Sequence, residues 1–409
     1  MRVLVTMLTL TLLAVAVGCE EPLSAGEEVA DTSAAPATVE TPVGQGPTSY
    51  TVSASEPIWV IPSSVVPPEV IVQPSNNNVD IVAHEDALFL AWRTGPTHFA
   101  DAAVQMPVMR SDDDGATWVL ETVVDLDSDL REPRLVSFNG VLQLIFFEAG
   151  VFAFTFDPQH VWRTVRGDDG SWSNPEILFE AAEVPWDIKV RRGAVWMTSY
   201  LGEHYGGEGS VIDVLFRRSD DGISWSMVDD APYVYRGGVS EAAIEFDREG
   251  GLWVVTRNED GDATGFGSHV CYAPPDALSA WECPEVSDPE RYDSPELFRH
   301  EDDIYLVARR DVGGPYGPEG DILAYSDRPK TSALYRLDRD ARTVVHLMDL
   351  PGAGDTAFGA IQQLDDHRFL LANYTSPLDE PDITWIEGQT SERGTQIYLL
   401  TLTFTPEAP

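Results

Sequence analysis

The chain has 409 residues, with 26 basic against 68 acidic side chains and a formal net charge of −42 at pH 7. The acid is spread along the chain. Such a surface repels nucleic acid and anionic lipid, because both reward clustered Lys and Arg, so neither is an expected partner.

The first residues carry one positive charge at Arg2, then an apolar run over 3–17, then Ala16, Val17, Gly18 and Cys19. The run is shorter than the roughly 20 residues that cross a bilayer. A charged start, an apolar stretch and small residues before a cut make a secretory signal. The Ala-Val-Gly-Cys end resembles a lipobox. It implies cleavage after residue 18 and lipid on Cys19, which would hold the exported chain on a bacterial membrane through that anchor only. Residues 19–55 are rich in Glu, Ala, Thr, Pro, Ser and Gly, and too poor in large apolar groups to offset their ordering entropy. They are expected to form a flexible tether, leaving 56–406 as the folded body.

In that body helical periodicity is nearly absent. Short strands punctuated by Gly, Pro and Asp-Gly dominate. One unit recurs: a strand, a tight turn and a more apolar strand. Its copies begin near Val79, Arg131, Trp186, Ser240, Asp293 and Ala357, at spacings of 50 to 65 residues. Further strands follow each unit, for example 104–111 then 118–124, and 211–219 then 225–228. Four strands in each of six repeats predict an all-β six-bladed β-propeller. The sixth repeat lacks a clear fourth strand, and the stretch 58–72, beginning Ile58-Trp59, is expected to supply it.

The turn after the third strand carries a second signature. It reads Ser111, Asp113, Gly115, Thr117, Trp118 in the first repeat, and Arg218, Asp220, Gly222, Ser224, Trp225 in the third. A shortened form runs from Gly167 through Asp168 and Gly170 to Trp172. The Asp is expected to accept backbone N–H groups, the Gly to take positive φ and the Trp to pack under the blade. Cys271 and Cys283, in an exported chain, are expected to form a disulfide. No His or Cys pair sits near them at metal-ligand spacing. The acidic loop 259–262 reads as solvated surface rather than a Ca²⁺ site. No metal or cofactor is expected.

Asp-box hairpins on six blades resemble the sialidase superfamily, over residues 57 to 405. In each blade the first strand starts, and the second ends, on the face opposite the Asp boxes. Asp80, Glu132, Asp187, Glu241 and Glu296 are therefore expected to ring one mouth of the central channel. Arg93, Glu148, Tyr200, Arg257, Arg309 and Tyr374 should lie slightly further out, beneath long loops. The resemblance implies arginines on a substrate carboxylate, a Tyr nucleophile paired with Glu, and an Asp acid/base. Glu241 followed by Arg257 matches the superfamily's Glu-then-Arg spacing, and Arg93 matches a site arginine of the first blade. Glu132-Pro133 stands where the family often has Asp-Pro. Asp101 or His98 would be the acid/base, and Arg309 or Arg328 the third arginine. Two positions depart from the pattern. Asn78-Val79-Asp80 replaces an Arg-Ile-Pro motif, and Phe358 stands where the nucleophilic Tyr belongs.

Three functions fit these residues. The first is a propeller that binds or processes extracytoplasmic carbohydrate by something other than the usual sialidase route. The second is an exo-glycosidase using Glu132, Glu241 and Glu296 as acid and base. The third is a scaffold whose mouth binds another protein. Against all three stands a plain buried ion pair, with Glu241 and Arg257 simply satisfying one another.

Overall fold

The computed structural model describes residues 49–153, 155–205 and 211–407. Cys19, the signal sequence and most of the expected tether lie outside the described residues. The described chain folds into six antiparallel sheets, the blades of a propeller.

The inner strands are Ser75–His84, Leu130–Phe138, Val184–Arg191, Ala242–Phe246, Asp293–His300 and Ala360–Gln363. Each hydrogen-bonds to a second strand immediately after it in sequence. The second strands read as continuous apolar runs because both of their faces are buried. In the first blade Leu88, Leu90 and Trp92 face the sixth blade, while Phe89 and Ala91 face the second. This alternation follows from the two-residue period of a strand. It divides the interior into six clusters, one at each junction between neighbouring blades. Each large apolar side chain buried there stabilises the fold by about 1.5–3 kcal/mol.

The ring closes as the sequence suggests. Ile58–Ile61 pairs with the last strand, Gln396–Pro406. A further strand, Tyr50–Ala54, pairs with the same edge from Tyr50 opposite Pro406 to Ala54 opposite Leu402. The ordered body thus begins ahead of residue 56. Composition placed the boundary too late because Tyr50 and Val52 are the only large apolar residues of that strand packed on the core. The fourth blade has three strands. Its outer position is held by a single bridge between Tyr272 and Glu282 beside the Cys271–Cys283 disulfide.

The turn signatures fold as structural hairpins, with a shift in two of them. Asp113 accepts from the Thr117 N–H and hydroxyl at 2.8 and 2.6 Å. In the third blade the work falls to Ser219 and Asp221, not Arg218 and Asp220. The Gly222 N–H donates to Ser219, and the N–H groups of Ile223 and Ser224 donate to Asp221. In the second blade Asp169 takes the role expected of Asp168.

One backbone irregularity positions the site. Inner strands slip in register between Asn77 and Asp80, Arg131 and Arg134, Pro185 and Asp187, and Asp293 and Glu296. Within three of these bulges a non-glycine residue takes positive φ: Asn78 at 50°, Glu132 at 53° and Ser294 at 53°. Ala357 and Phe358, just ahead of the sixth inner strand, sit at 77° and 78°. Such conformations cost on the order of 1–3 kcal/mol each. Bulges re-aim side chains, and Asn78, Glu132, Ser294 and Phe358 all line the cavity at one mouth of the channel.

Candidate functional site

That cavity holds about 320 Å³. Glu132, Glu241, Arg257, Arg309, Tyr374 and His98 converge on it, joined by Tyr200, Arg131 and Asn78. Its walls carry several aromatic rings, among them Phe156, Tyr205, Phe358 and Trp385.

Glu132 is buried and receives a hydrogen bond from the Asn78 amide at 3.1 Å. Burial, reinforced by the charge of Glu241, pushes its carboxyl up to about 8 despite the opposing pull of Arg134. It is therefore largely protonated at neutral pH. Glu241 is also raised by burial, opposed by Arg257 and Arg309. It accepts from Arg257 at 2.6 Å and from the Ser294 N–H at 2.9 Å. Two carboxyls in one cavity are thus placed in different surroundings, one neutral and one salt-bridged. That separation supports acid/base assignments. Tyr200 lies within the field of both, and burial raises its hydroxyl far above the ordinary value.

The arginines divide sharply. Arg257 is ringed by Glu241, Glu259 and Asp293, so its charge is matched inside the protein. Arg309 makes no ion pair among the described residues. Its Nε donates to the Tyr325 hydroxyl at 3.0 Å, and its guanidinium lies 4.8 Å from the Trp385 ring. Two short helices supply these supports. Ile322–Ser326 is capped by Asp321 and carries Tyr325. Trp385–Thr390 starts at a reciprocal Thr384–Glu387 cap. Arg328 is held by Asp311 and Glu319 and stacks on Tyr316, so of these two candidates Arg309 is the one that lines the cavity.

Six expected residues lie elsewhere. Arg93 is fully buried, pairs with Asp129 at 2.6 Å and donates to the carbonyls of Thr97 and Phe99. It shapes the loop above the first blade and does not reach the cavity. Asp101 caps its own turn by accepting from the Ala103 N–H at 2.8 Å. Asp80, Asp187 and Glu296 sit beyond the bulges, along a second channel cavity of about 320 Å³. Asp80 accepts from the Leu135 N–H of the second blade, and Asp187 from the Ile244 N–H of the fourth. These two side chains staple adjacent blades through backbone groups that would otherwise be unpaired. Glu296 and Asp187 share Lys189. Glu148, expected further out on the rim, accepts from the Trp162 indole at 3.2 Å instead.

Sequence reasoning passed over Asp355. This buried carboxylate accepts from the Tyr374 hydroxyl at 3.2 Å and lies 2.8 Å from Nδ1 of His98. It is twenty residues ahead of Thr375 in the same blade, and a Gly-Asp-Thr stretch just before the anomalous Phe358 was the available signal. His204, a further cavity residue, is held by Asp260 at 3.2 Å. Asp260 and its neighbours are thereby engaged: Glu259 with Arg257, Asp262 with Tyr235 and Thr264. Among the described residues no group of three or more His, Cys, Asp or Glu is placed to hold a metal ion.

No family model matches the chain, and no curated protein matches it. Solved structures do. A protein of unknown function from Dyadobacter fermentans superposes with a TM-score of 0.60 at 13% identity, covering 87% of this chain and 99% of that one. A Trypanosoma rangeli sialidase mutant displaying trans-sialidase activity gives 0.58 at 14% identity over 87% of this chain, which spans 60% of that protein. The endosialidase of phage phi92 gives 0.53 at 10% identity, over 91% of this chain and 72% of that one. Identities this low speak for fold alone. The chain carries the sialidase-like six-bladed β-propeller fold.

Proposed function

We propose that this propeller binds a terminal sugar of an extracytoplasmic glycan in the mouth cavity and cleaves its glycosidic bond without a tyrosine nucleophile. The observation that carries the reading is the pairing of a protonated Glu132 with a salt-bridged Glu241 in one aromatic-walled cavity. A carboxyl titrating near 8 can give its proton to a leaving oxygen at neutral pH. Glu241 would stabilise positive charge developing on the sugar ring. Aromatic walls suit sugar faces, and Arg309 suits a carboxylate or other oxyanion on the sugar. Phe358, at the position where the resemblance asks for tyrosine, supports a route with no covalent adduct there. Solved structures of the same fold include a sialidase in complex with sialic acid. We further propose that the chain is exported and anchored by lipid on Cys19, so that the cavity faces glycans outside the cytoplasm.

The test is a turnover screen on residues 20–409 with fluorogenic sialosides, uronides and neutral glycosides, run beside Glu132→Gln and Glu241→Gln. Release of one sugar by the parent, lost in both variants, is the expected result. Silence across the panel, with glycans still retained on an array, would leave a binding protein in its place.

A further inference from the structure

We propose that His98 is the base that takes a proton from the attacking water, with Asp355 as its positioning residue. The inference rests on the hydrolytic reading above and adds the second proton-handling group that it lacks.

The geometry is specific. Nδ1 of His98 lies 2.8 Å from Oδ2 of Asp355, a carboxylate with no exposed side-chain surface. Nδ1 also faces the Asn77 amide at 3.1 Å, but its shorter contact is to a carboxylate, which only accepts, so the Nδ1 proton is assigned to Asp355 and Nε2 is left as the basic nitrogen. Among the described residues no protein group bonds Nε2, and His98 lines the cavity. The residue's backbone is fixed as well. Its N–H donates to Gln389, and its carbonyl accepts from Arg131 at 2.7 Å. A neutral base near an ionised partner needs protection from becoming permanently charged. Burial supplies it by lowering the imidazole's pKa, against the pull of Asp355 and helped by Arg131 and Arg93.

The relation to Glu132 is equally defined. Adjacent asparagines of the first blade mark the two groups: Asn77 lies 3.1 Å from His98, and Asn78 donates to Glu132. Glu132 comes from the second blade, while Asp355, which holds the imidazole, precedes the inner strand of the sixth. The two proton-handling groups therefore flank the first blade. In the step proposed, a water oxygen bonds to the anomeric carbon as its proton passes to Nε2. The bond to the leaving oxygen breaks as that oxygen takes the proton of Glu132. The imidazolium then loses its proton to solvent, Glu132 regains one, and the net change is addition of one water across the bond. No enzyme-linked sugar forms, so the product emerges with inverted anomeric configuration.

The experiment follows the anomer first formed by the parent chain, using NMR on the best substrate of the screen, and compares kcat and KM for His98→Gln and Asp355→Asn. Inversion is expected, with kcat falling about 10²–10⁴-fold in His98→Gln and KM little changed. The acidic limb of the parent's pH profile should vanish in that variant. In the folded parent, imidazole ¹⁵N spectra should show the Nδ1–H form, and Asp355→Asn should shift it. Retention of configuration, an Nε2–H form, or His98→Gln turnover equal to the parent's while Glu132→Gln is dead would overturn the histidine's role and leave the hydrolytic reading standing. Absence of turnover by the parent chain overturns both.

Discussion

The rings of Trp186 and Phe358 meet in the channel with centroids 4.5 Å apart and planes at 63°. The Arg134 guanidinium lies over both, at 5.4 and 5.8 Å from the ring centres, with no side-chain hydrogen bond or ion pair to any described residue. Phe358 lines the mouth cavity and Arg134 the cavity beyond it. The aromatic pair is therefore the floor that keeps the mouth separate from the rest of the channel. Trp186 also donates across the channel to the Pro295 carbonyl at 3.3 Å.

Trp186→Ala should remove that floor. Loss of a fully buried indole costs about 3–5 kcal/mol, read as a lower denaturant midpoint. Water admitted from the channel should also relieve the burial that raises Glu132, moving its carboxyl from about 8 toward the usual range. Carboxyl ¹³C shifts followed against pH would report the change. An unmoved Glu132 titration would show that the floor has no part in keeping the acid protonated.

Glu132 and Glu241 were legible because they stand at the same point of a repeated two-strand unit, and the repeat gives which end of the strand meets the mouth. Asp80, Asp187 and Glu296 stood at that point too by simple alignment. The bulges displaced them, since an extra residue at Asn78, Glu132 or Ser294 changes which side chains reach the mouth, and a pattern of apolar and polar residues does not register positive φ. Arg93 shows another limit. Its partner Asp129 belongs to the next blade, 36 residues on, and no local signal announces that a charge is matched from there. Asp355 was missed for the same reason: its meaning depends on His98, 257 residues earlier.

Glu132 should also shape stability against pH. Its folded pKa of about 8 stands above the ordinary 4.5, so the folded state holds the proton over a range where the unfolded chain has lost it. The stabilisation is fully present below about 4.5 and is lost as pH rises through about 8. At ~1.4 kcal/mol per unit of difference, the slope amounts to a few kcal/mol. Glu132→Gln keeps a neutral hydrogen-bonding group and should flatten the curve, making the variant more stable than the parent at pH 8 but not at pH 5. Chemical denaturation at those two pH values checks it.

The disulfide between Cys271 and Cys283 spans a sequence separation of 12. It stands where the fourth blade lacks an outer strand. Replacing both cysteines by Ser should cost roughly 3 kcal/mol in the chain-entropy model. Hydrogen exchange should rise in residues 271–283 and leave the other blades unchanged. A change spread round the ring would mean that the crosslink supports the propeller as a whole.

Arg93 and Arg309 make the sharpest contrast. Both are buried arginines at the ends of second strands, and the resemblance points Arg93, and either Arg309 or Arg328, to a substrate carboxylate. Arg93 is spent on Asp129 and two carbonyls, whereas Arg309 rests on a hydroxyl, an indole face and a long contact to the Thr356 carbonyl, with no ion pair among the described residues. Arg93→Met would leave the buried Asp129 with Arg131 as its one remaining ion-pair partner among the described residues. Breaking a buried pair from one side costs about 3–5 kcal/mol, so the expected effect is on folding, with ligand affinity per folded molecule unchanged. Arg309→Met should act oppositely. A charge-assisted contact contributes about 1.5–3 kcal/mol, which is roughly 10- to 150-fold in affinity for a carboxylated sugar, with little change for a neutral one. Calorimetric titration of a uronic acid glycoside and its neutral counterpart, alongside thermal melts of both variants, separates the two roles. Equal losses for the two sugars would show that Arg309 shapes the cavity and does not read the ligand's charge.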